Sequence, residues 1–295
     1  GDYGTPFGKM VVAYKLWGNK EEIEERGMDA IQDLYVKFCA NENEELLEKA
    51  RYASSQIEKK SGTEYEIYKW IIDITIEETK RLISRMGISF DDWRGESTYN
   101  DKMEEPLEEI RLAGLSKVEN GATIIDMNEY NLGVCVLKRS DGASLYVTRD
   151  LAAVEDRYNR YHFDEMLYVT ASQQNSHFAK LFKICELLNK PYADKLHHIA
   201  YGMFSLPEGK IASRKGKQAL FQDILDEAEN EAYEVVKNRN LSEEKKDKIV
   251  KNVALSAISF SILKVDRIKD KVLDLKKAVS FDGETGPYIQ YTYAR

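Results

Sequence analysis

Hydrophobic positions recur with two periods along this chain, and the change of period divides it. From the start to about residue 112 the period is helical. A glycine-rich opening, Gly1-Asp2-Tyr3-Gly4-Thr5-Pro6-Phe7-Gly8-Lys9-Met10, enters a helix carrying Val11, Val12, Tyr14 and Leu16. Ile23, Met28, Ile31, Leu34, Tyr35 and Phe38 then predict one helix over 21–41. A more polar helix is predicted over 44–60, and a third over 64–86 with Tyr68, Ile71, Ile72, Ile76 and Leu82. These stripes read as core faces, and no chemistry is assigned to them. Gly87 closes the third helix, Ile88-Ser89-Phe90 reads as a strand-like segment leading to Trp93, and 103–112 is helical again.

Beyond residue 120 the period shortens towards two. Ala122–Ile125 and Val134–Lys138 read as strands, and Ser140-Asp141-Gly142-Ala143 as a hairpin turn. Leu145 to Thr148 reads as a short buried strand, after which Leu151, Ala152, Val154 and Tyr158 share one helical face. Met166–Thr170 is the next strand, and it runs through Ala171-Ser172-Gln173-Gln174-Asn175-Ser176-His177-Phe178 into another amphipathic helix. Strand, helix, strand, helix at this spacing predicts parallel strands with a right-handed crossover. A further strand is expected over 195–204. Its adjacent His197 and His198 point to opposite faces, which favours structural roles over a shared metal. Helices follow over 221–237 and 242–264, the second lined by Ile249, Val253, Leu255, Ile258 and Ile262. Tyr288, Tyr291 and Tyr293, beside a Gly-Pro turn, read as packing at a domain junction.

Open parallel sheets bind ligands beyond the carboxyl ends of their strands. Tyr146, Arg149, Asp150, Gln173, Gln174 and His177 fall there. An anion, hydroxyls and amides in one place suit a small cationic ligand with many hydrogen-bond donors. On the residues alone, Asp150 is equally an acid at a helix N-terminus, and Tyr146 a core aromatic. Leu206 to Gln218 carries Lys210, Arg214, Lys215 and Lys217 with Ser213, Gly209 and Gly216. It is either a solvated charged loop or a mobile clamp for phosphate.

Composition narrows the classes. A chain of 295 residues, 43% hydrophobic, suffices for one large or two medium domains. A net charge of −8 argues against nonspecific polyanion binding and leaves room for a shaped RNA contact. Cys39, Cys135 and Cys185 are widely spaced among apolar neighbours, so they read as buried, inert thiols in a reducing cytoplasm. No run of eighteen apolar residues and no signal peptide occurs, so no membrane is implied. A redox dinucleotide enzyme would want Gly-x-Gly-x-x-Gly after a strand, which is missing.

The run Tyr146-Val147-Thr148-Arg149-Asp150-Leu151-Ala152-Ala153 resembles the strand-to-helix signature of arginyl-tRNA synthetases, and Gln174-x-x-His177 resembles that family's next motif. The opening is similar to the family's Gly-Asp-Trp/Tyr-Gly-x-Gln-Phe-Gly, with Pro6 in place of Gln. The Asp141-Gly142 turn and the residues 280–295, which look like the entry to the anticodon-binding domain, fit the same order. Lys210-Ile211-Ala212-Ser213-Arg214 resembles a loosened form of the class I Lys-Met-Ser-Lys-Ser loop, with Ser213 replacing its second lysine.

The resemblance implies an α/β fold: a class I synthetase Rossmann-type parallel sheet with a largely helical insertion, followed by C-terminal helices. Residues 1–16 and 136–218 would form the catalytic domain, 17–135 the insertion, 219–279 a helical region and 280–295 the start of the anticodon-binding domain. The implied reaction is ATP-dependent activation of arginine and transfer to tRNA(Arg). Tyr146, Asp150 and Gln174 would hold arginine. His177, Lys210, Ser213, Arg214, Lys215 and Gly216 would face ATP, with Lys210, Arg214 and Lys215 catalytic by charge and Mg²⁺ accompanying the nucleotide. Arginine and tRNA(Arg) are the implied partners, with no stable protein partner. The family's His-x-Gly-His does not occur in this chain, so the expectation is an excerpt of a longer cytoplasmic enzyme, inactive alone. The alternative is a noncatalytic RNA- or nucleotide-binding paralogue.

Overall fold

A computed structural model describes residues 2, 4–140, 146–207, 209–210 and 221–295. The chain divides into two compact units, one of Gly4–Asp91 with Gly202–Arg295, the other of Asp92–Tyr201 joined by the start of the chain.

The first unit opens with α1 (Thr5–Trp17), α2 (Lys20–Arg26), α3 (Met28–Ala40), α4 (Glu44–Glu58) and α5 (Gly62–Arg85). Pro6 lies in the first turn of α1, where its missing N–H has no intrahelical partner to lose. Gly8 brings α1 onto α4, since a Cβ there would strike the Ala50 carbonyl. Val11, Val12 and Ala13 of α1 pack with Phe38, Leu46, Ala50, Ala53 and Ile57. The single helix expected over 21–41 is broken. Gly27 adopts φ +53°, and the Met28 N–H donates to Glu78 Oε2 of α5 at 3.0 Å. A partner fifty residues away caps the new helix, and only glycine leaves that carboxylate room. Ile88–Phe90 forms no strand and is exposed.

The second unit contains a 3-10 helix (Glu96–Lys102), α6 (Glu104–Leu112) and an antiparallel sheet of β1 (Lys117–Glu119), β2 (Ala122–Asp126) and β3 (Val134–Lys138). Asn120 and Gly121, both at positive φ, make the tight turn between β1 and β2. Next come α7 (Tyr146–Tyr161), β4 (Met166–Ala171), α8 (Asn175–Leu187) and β5 (Leu196–Tyr201). Strands β4 and β5 are parallel, from Met166 opposite Leu196 to Ala171 opposite Tyr201, with α8 as the crossover. The parallel unit is therefore β4–α8–β5. Tyr146–Thr148, expected as a strand, is the first turn of α7. Its apolar residues Val147, Leu151, Val154 and Tyr158 follow helical spacing, and the β-branched Val147 and Thr148 masked it. One core joins Ile125 and Leu137 of the antiparallel sheet to Val147, Leu151 and Val154 of α7 and Leu181, Ile184 and Cys185 of α8.

The first unit resumes with β6 (Phe204–Leu206), which pairs antiparallel with β7 (Gly209–Lys210) and parallel with β8 (Lys271–Val272). Helices α9 (Phe221–Val236) and α10 (Glu243–Leu263) pack Ile224, Leu225 and Ala228 against Val250, Val253 and Ile258. The short α11 (Leu275–Ala278) leads to α12 (Gly286–Ala294). Gly286 lies so close to the Ser256 carbonyl that a Cβ would not fit, so α12 meets α10 by its first residues. Tyr288, Tyr291 and Tyr293, expected to pack, are exposed.

Candidate functional site

The strand end of β4 passes through a 3-10 turn, Ser172–Gln174, into α8, and that turn aims the first residues of α8. His177 is the third residue of α8, and Asp150 stands in the second turn of α7. Between them, His177 Nε2 lies 2.6 Å from Asp150 Oδ2. An ionised carboxylate only accepts, so Nε2 carries the proton and the imidazole donates. Both side chains are about a quarter exposed, at 27% and 28%, so a ligand can reach the pair. Asp150 is therefore not the N-cap of α7, because it lies inside the helix.

Beneath this pair sits a column of rings. His177 is edge-on to Phe178 at 5.1 Å, and Phe178 lies 4.6 Å from His198 and 4.7 Å from Tyr168. His198 Nε2 is 2.8 Å from the Thr170 hydroxyl of the neighbouring strand, which fixes that ring as a sheet pin. Burial raises the phenol of Tyr168 above its ordinary range, and the charge of Asp150 acts in the same direction. A packed floor of rings thus supports the Asp150–His177 pair.

Tyr146 is the first described residue of α7 and is exposed; Gln174, at the end of the 3-10 turn before α8, is exposed as well. They stand at the starts of the two helices that carry Asp150 and His177. Arg149, expected at the mouth, is instead buried. Its Nε donates to Asn100 Oδ1 at 2.9 Å, and Nη1 is 3.7 Å from Glu96 Oε2. Consecutive helical residues point about 100° apart, so Arg149 faces the 3-10 helix while Asp150 faces His177. The sequence reading gave 95–102 no part in the site. Its composition, rich in Ser, Thr, Asn and Asp, reads as a turn, and its partners lie far away in sequence. Ser97, for example, donates from N–H (3.1 Å) and Oγ (2.6 Å) to the two carboxylate oxygens of Asp2.

Lys210 falls in β7 opposite Ser205. Ser213, Arg214, Lys215 and Gly216, with the Lys210 side chain and the Asp141-Gly142 turn, lie outside the described residues. Among the described residues no group of three His, Cys, Asp or Glu could hold a metal, and no helix is long and apolar enough to cross a membrane. A cavity of about 620 Å³ opens on another face of α7, between Leu112 and Leu151. Within it, Glu155 accepts from Tyr192 Oη at 2.5 Å and lies 2.9 Å from Lys190 Nζ. Of the three cysteines, Cys135 and Cys185 are buried, whereas Cys39 is exposed, contrary to expectation.

The parallel β4–α8–β5 unit, with His177 at the start of its crossover helix and Asp150 of α7 bonded to it, is an α/β arrangement of the kind that places ligands beyond its strand ends. The family model for tRNA synthetases class I (R), catalytic domain, matches residues 1–275, and the chain belongs to that family. The arginine–tRNA ligase of Clostridium perfringens (strain 13 / Type A) is 39% identical over 297 residues, covering 100% of this chain and 53% of the relative. That of Halothermothrix orenii is 40% identical, covering 100% and 52%. The chain spans about half the length of these curated relatives. The solved arginyl-tRNA synthetase of Thermus thermophilus superposes with a TM-score of 0.81 at 21% identity, over 100% of this chain and 55% of that one. The Plasmodium falciparum structure gives 0.78 at 20% identity, over 100% and 49%. These two likenesses establish the fold, an α/β class I synthetase architecture.

Proposed function

We propose that this chain is part of the catalytic domain of an arginine–tRNA ligase, in which arginine and ATP form arginyl-adenylate and tRNA(Arg) then receives the arginyl group. The observation that carries the reading is the Asp150–His177 pair, set where α7 and α8 begin in a chain of this family. A guanidinium stays charged at every physiological pH and presents a planar fork of donors, so it needs a fixed carboxylate. Asp150 supplies that carboxylate, and the hydrogen bond from His177 fixes its rotation. Tyr146 and Gln174 stand on the two helix starts that flank it, where their hydroxyl and amide can close over arginine.

Neither step needs a protein nucleophile. The arginine carboxylate attacks the α-phosphate and pyrophosphate leaves; the terminal ribose hydroxyl of tRNA then attacks the adenylate carbonyl and releases AMP. Catalysis comes from holding the reactants in line and from cations that meet the phosphate charge as it shifts. Lys210, Ser213, Arg214, Lys215 and Gly216 are assigned to that second task by their chemistry and by following β6. His177 faces the nucleotide side of Asp150. Mg²⁺ is assigned to the ATP phosphates, where it usually binds alongside the nucleotide. Cytoplasmic placement belongs to the same reading.

Arginine-dependent exchange of pyrophosphate into ATP by the full-length protein, measured with tRNA present, tests the activity. Exchange with arginine and none with lysine or citrulline is the expected result. No exchange with any amino acid would leave the noncatalytic paralogue.

A further inference from the structure

The second turn of α7, which carries Asp150, is tethered on two sides. On one side the Thr148 hydroxyl donates to the Leu137 carbonyl of β3 at 3.1 Å. On the other, the buried Arg149 donates to Asn100, and Tyr99 packs against Ala152 and Ala153. Both Asn100 and Tyr99 belong to the 3-10 helix of Glu96–Lys102, so that helix and α7 form one packed piece. Its own start is held from outside. Ser97 sends both its N–H and its hydroxyl to the carboxylate of Asp2, ninety-five residues earlier in the chain. Gly95 leaves the space for this contact, because any Cβ there would collide with that carboxylate.

We propose that Asp2 is a positioning residue for Asp150. Its carboxylate fixes where the 3-10 helix begins, that helix fixes Arg149, and Arg149 fixes the turn of α7 from which Asp150 reaches its ligand. The physical case rests on rigidity. A short 3-10 helix with poor internal hydrogen bonding does not hold its own place, so an external acceptor for two donors at its start decides its position. A buried guanidinium is costly once its acceptors move, so Arg149 follows Asn100 and Glu96 of the 3-10 helix. Asp2 and Ser97 need not touch arginine for this role. The inference rests on the reading that Asp150 receives arginine.

A misplacement of about 1 Å in a binding group costs up to about a hundredfold, so a partial shift of Asp150 is expected to cost about tenfold. In the full-length protein, Asp2→Ala should raise the KM for arginine about tenfold while the KM for ATP stays within about twofold. Asp2→Asn keeps an oxygen for the Ser97 N–H and an amide for its hydroxyl, and should stay within about threefold of wild type. Gly95→Ala, which expels the same carboxylate from the other side, should reproduce the Asp2→Ala pattern and decides the matter if Asp2→Ala does not fold. An unchanged arginine KM in both alanine variants would overturn the inference, as would equal rises in the two KM values. A wild-type protein without arginine-dependent exchange would instead overturn the functional reading and this inference with it.

Discussion

His177 Nε2 and Asp150 Oδ2 stand 2.6 Å apart although the two residues come from different helices. The bond engages one carboxylate oxygen of Asp150 and restrains the rotation of its side chain. It also joins two residues that the sequence reading assigned to different substrates, Asp150 to arginine and His177 to the nucleotide. One hydrogen bond links the two halves of the proposed site.

Removing the imidazole should therefore be felt at the arginine side. A hydrogen bond to a charged group contributes about 1.5–3 kcal/mol, so His177→Ala should raise the arginine KM by about tenfold or more. His177→Gln retains a donor on a side chain of similar reach and should recover most of that loss. Steady-state kinetics of both variants in the full-length protein provide the check. Equal effects of Ala and Gln would assign His177 to the nucleotide alone.

The cysteines give a prediction for pH. Burial raises the thiol of Cys185 to about 12 and that of Cys135 above its usual value, while Cys39 is exposed. A disulfide reagent at pH 8 should modify one thiol of this chain promptly and all three only in denaturant. For Cys185 the raised value means that the folded chain keeps its proton while the unfolded chain releases it. Its contribution to stability is then fully present below about pH 9 and is lost as pH rises towards about 12. Chemical denaturation at pH 8 and pH 10 should show a decline that is smaller in Cys185→Ala. An identical decline in both proteins would exclude this thiol as its source.

Much of the frame was legible because its signals are local. Met166–Ala171 is an apolar run of strand length followed by an amphipathic helix, so β4, α8 and β5 were legible as separate elements, whereas the parallel pairing was expected between 145–148 and 166–170 and runs instead from β4 to β5. Three of the failures share one cause. The break at Gly27 depends on Glu78, the 3-10 helix depends on Asp2, and the inward course of Arg149 depends on Asn100. Each is decided by a partner distant in sequence, which neither periodicity nor propensity reports. Tyr146–Thr148 failed differently: a β-branched pair looked like a strand, although 147, 151, 154 and 158 already spelled a helix. Of the proposed site, Asp150 and His177 were named by motif and position, and the bond between them was not.

Asp150 is proposed to receive the guanidinium of arginine. Asp150→Asn keeps the shape and removes the charge. Truncating one partner of a partly buried, hydrogen-bonded charge pair costs roughly 2–5 kcal/mol, about two orders of magnitude or more in kcat/KM. That loss is expected for arginine in the full-length Asp150→Asn protein, with the KM for ATP moving far less and the fold intact. Arginine kinetics equal to wild type in a folded Asp150→Asn variant would contradict it.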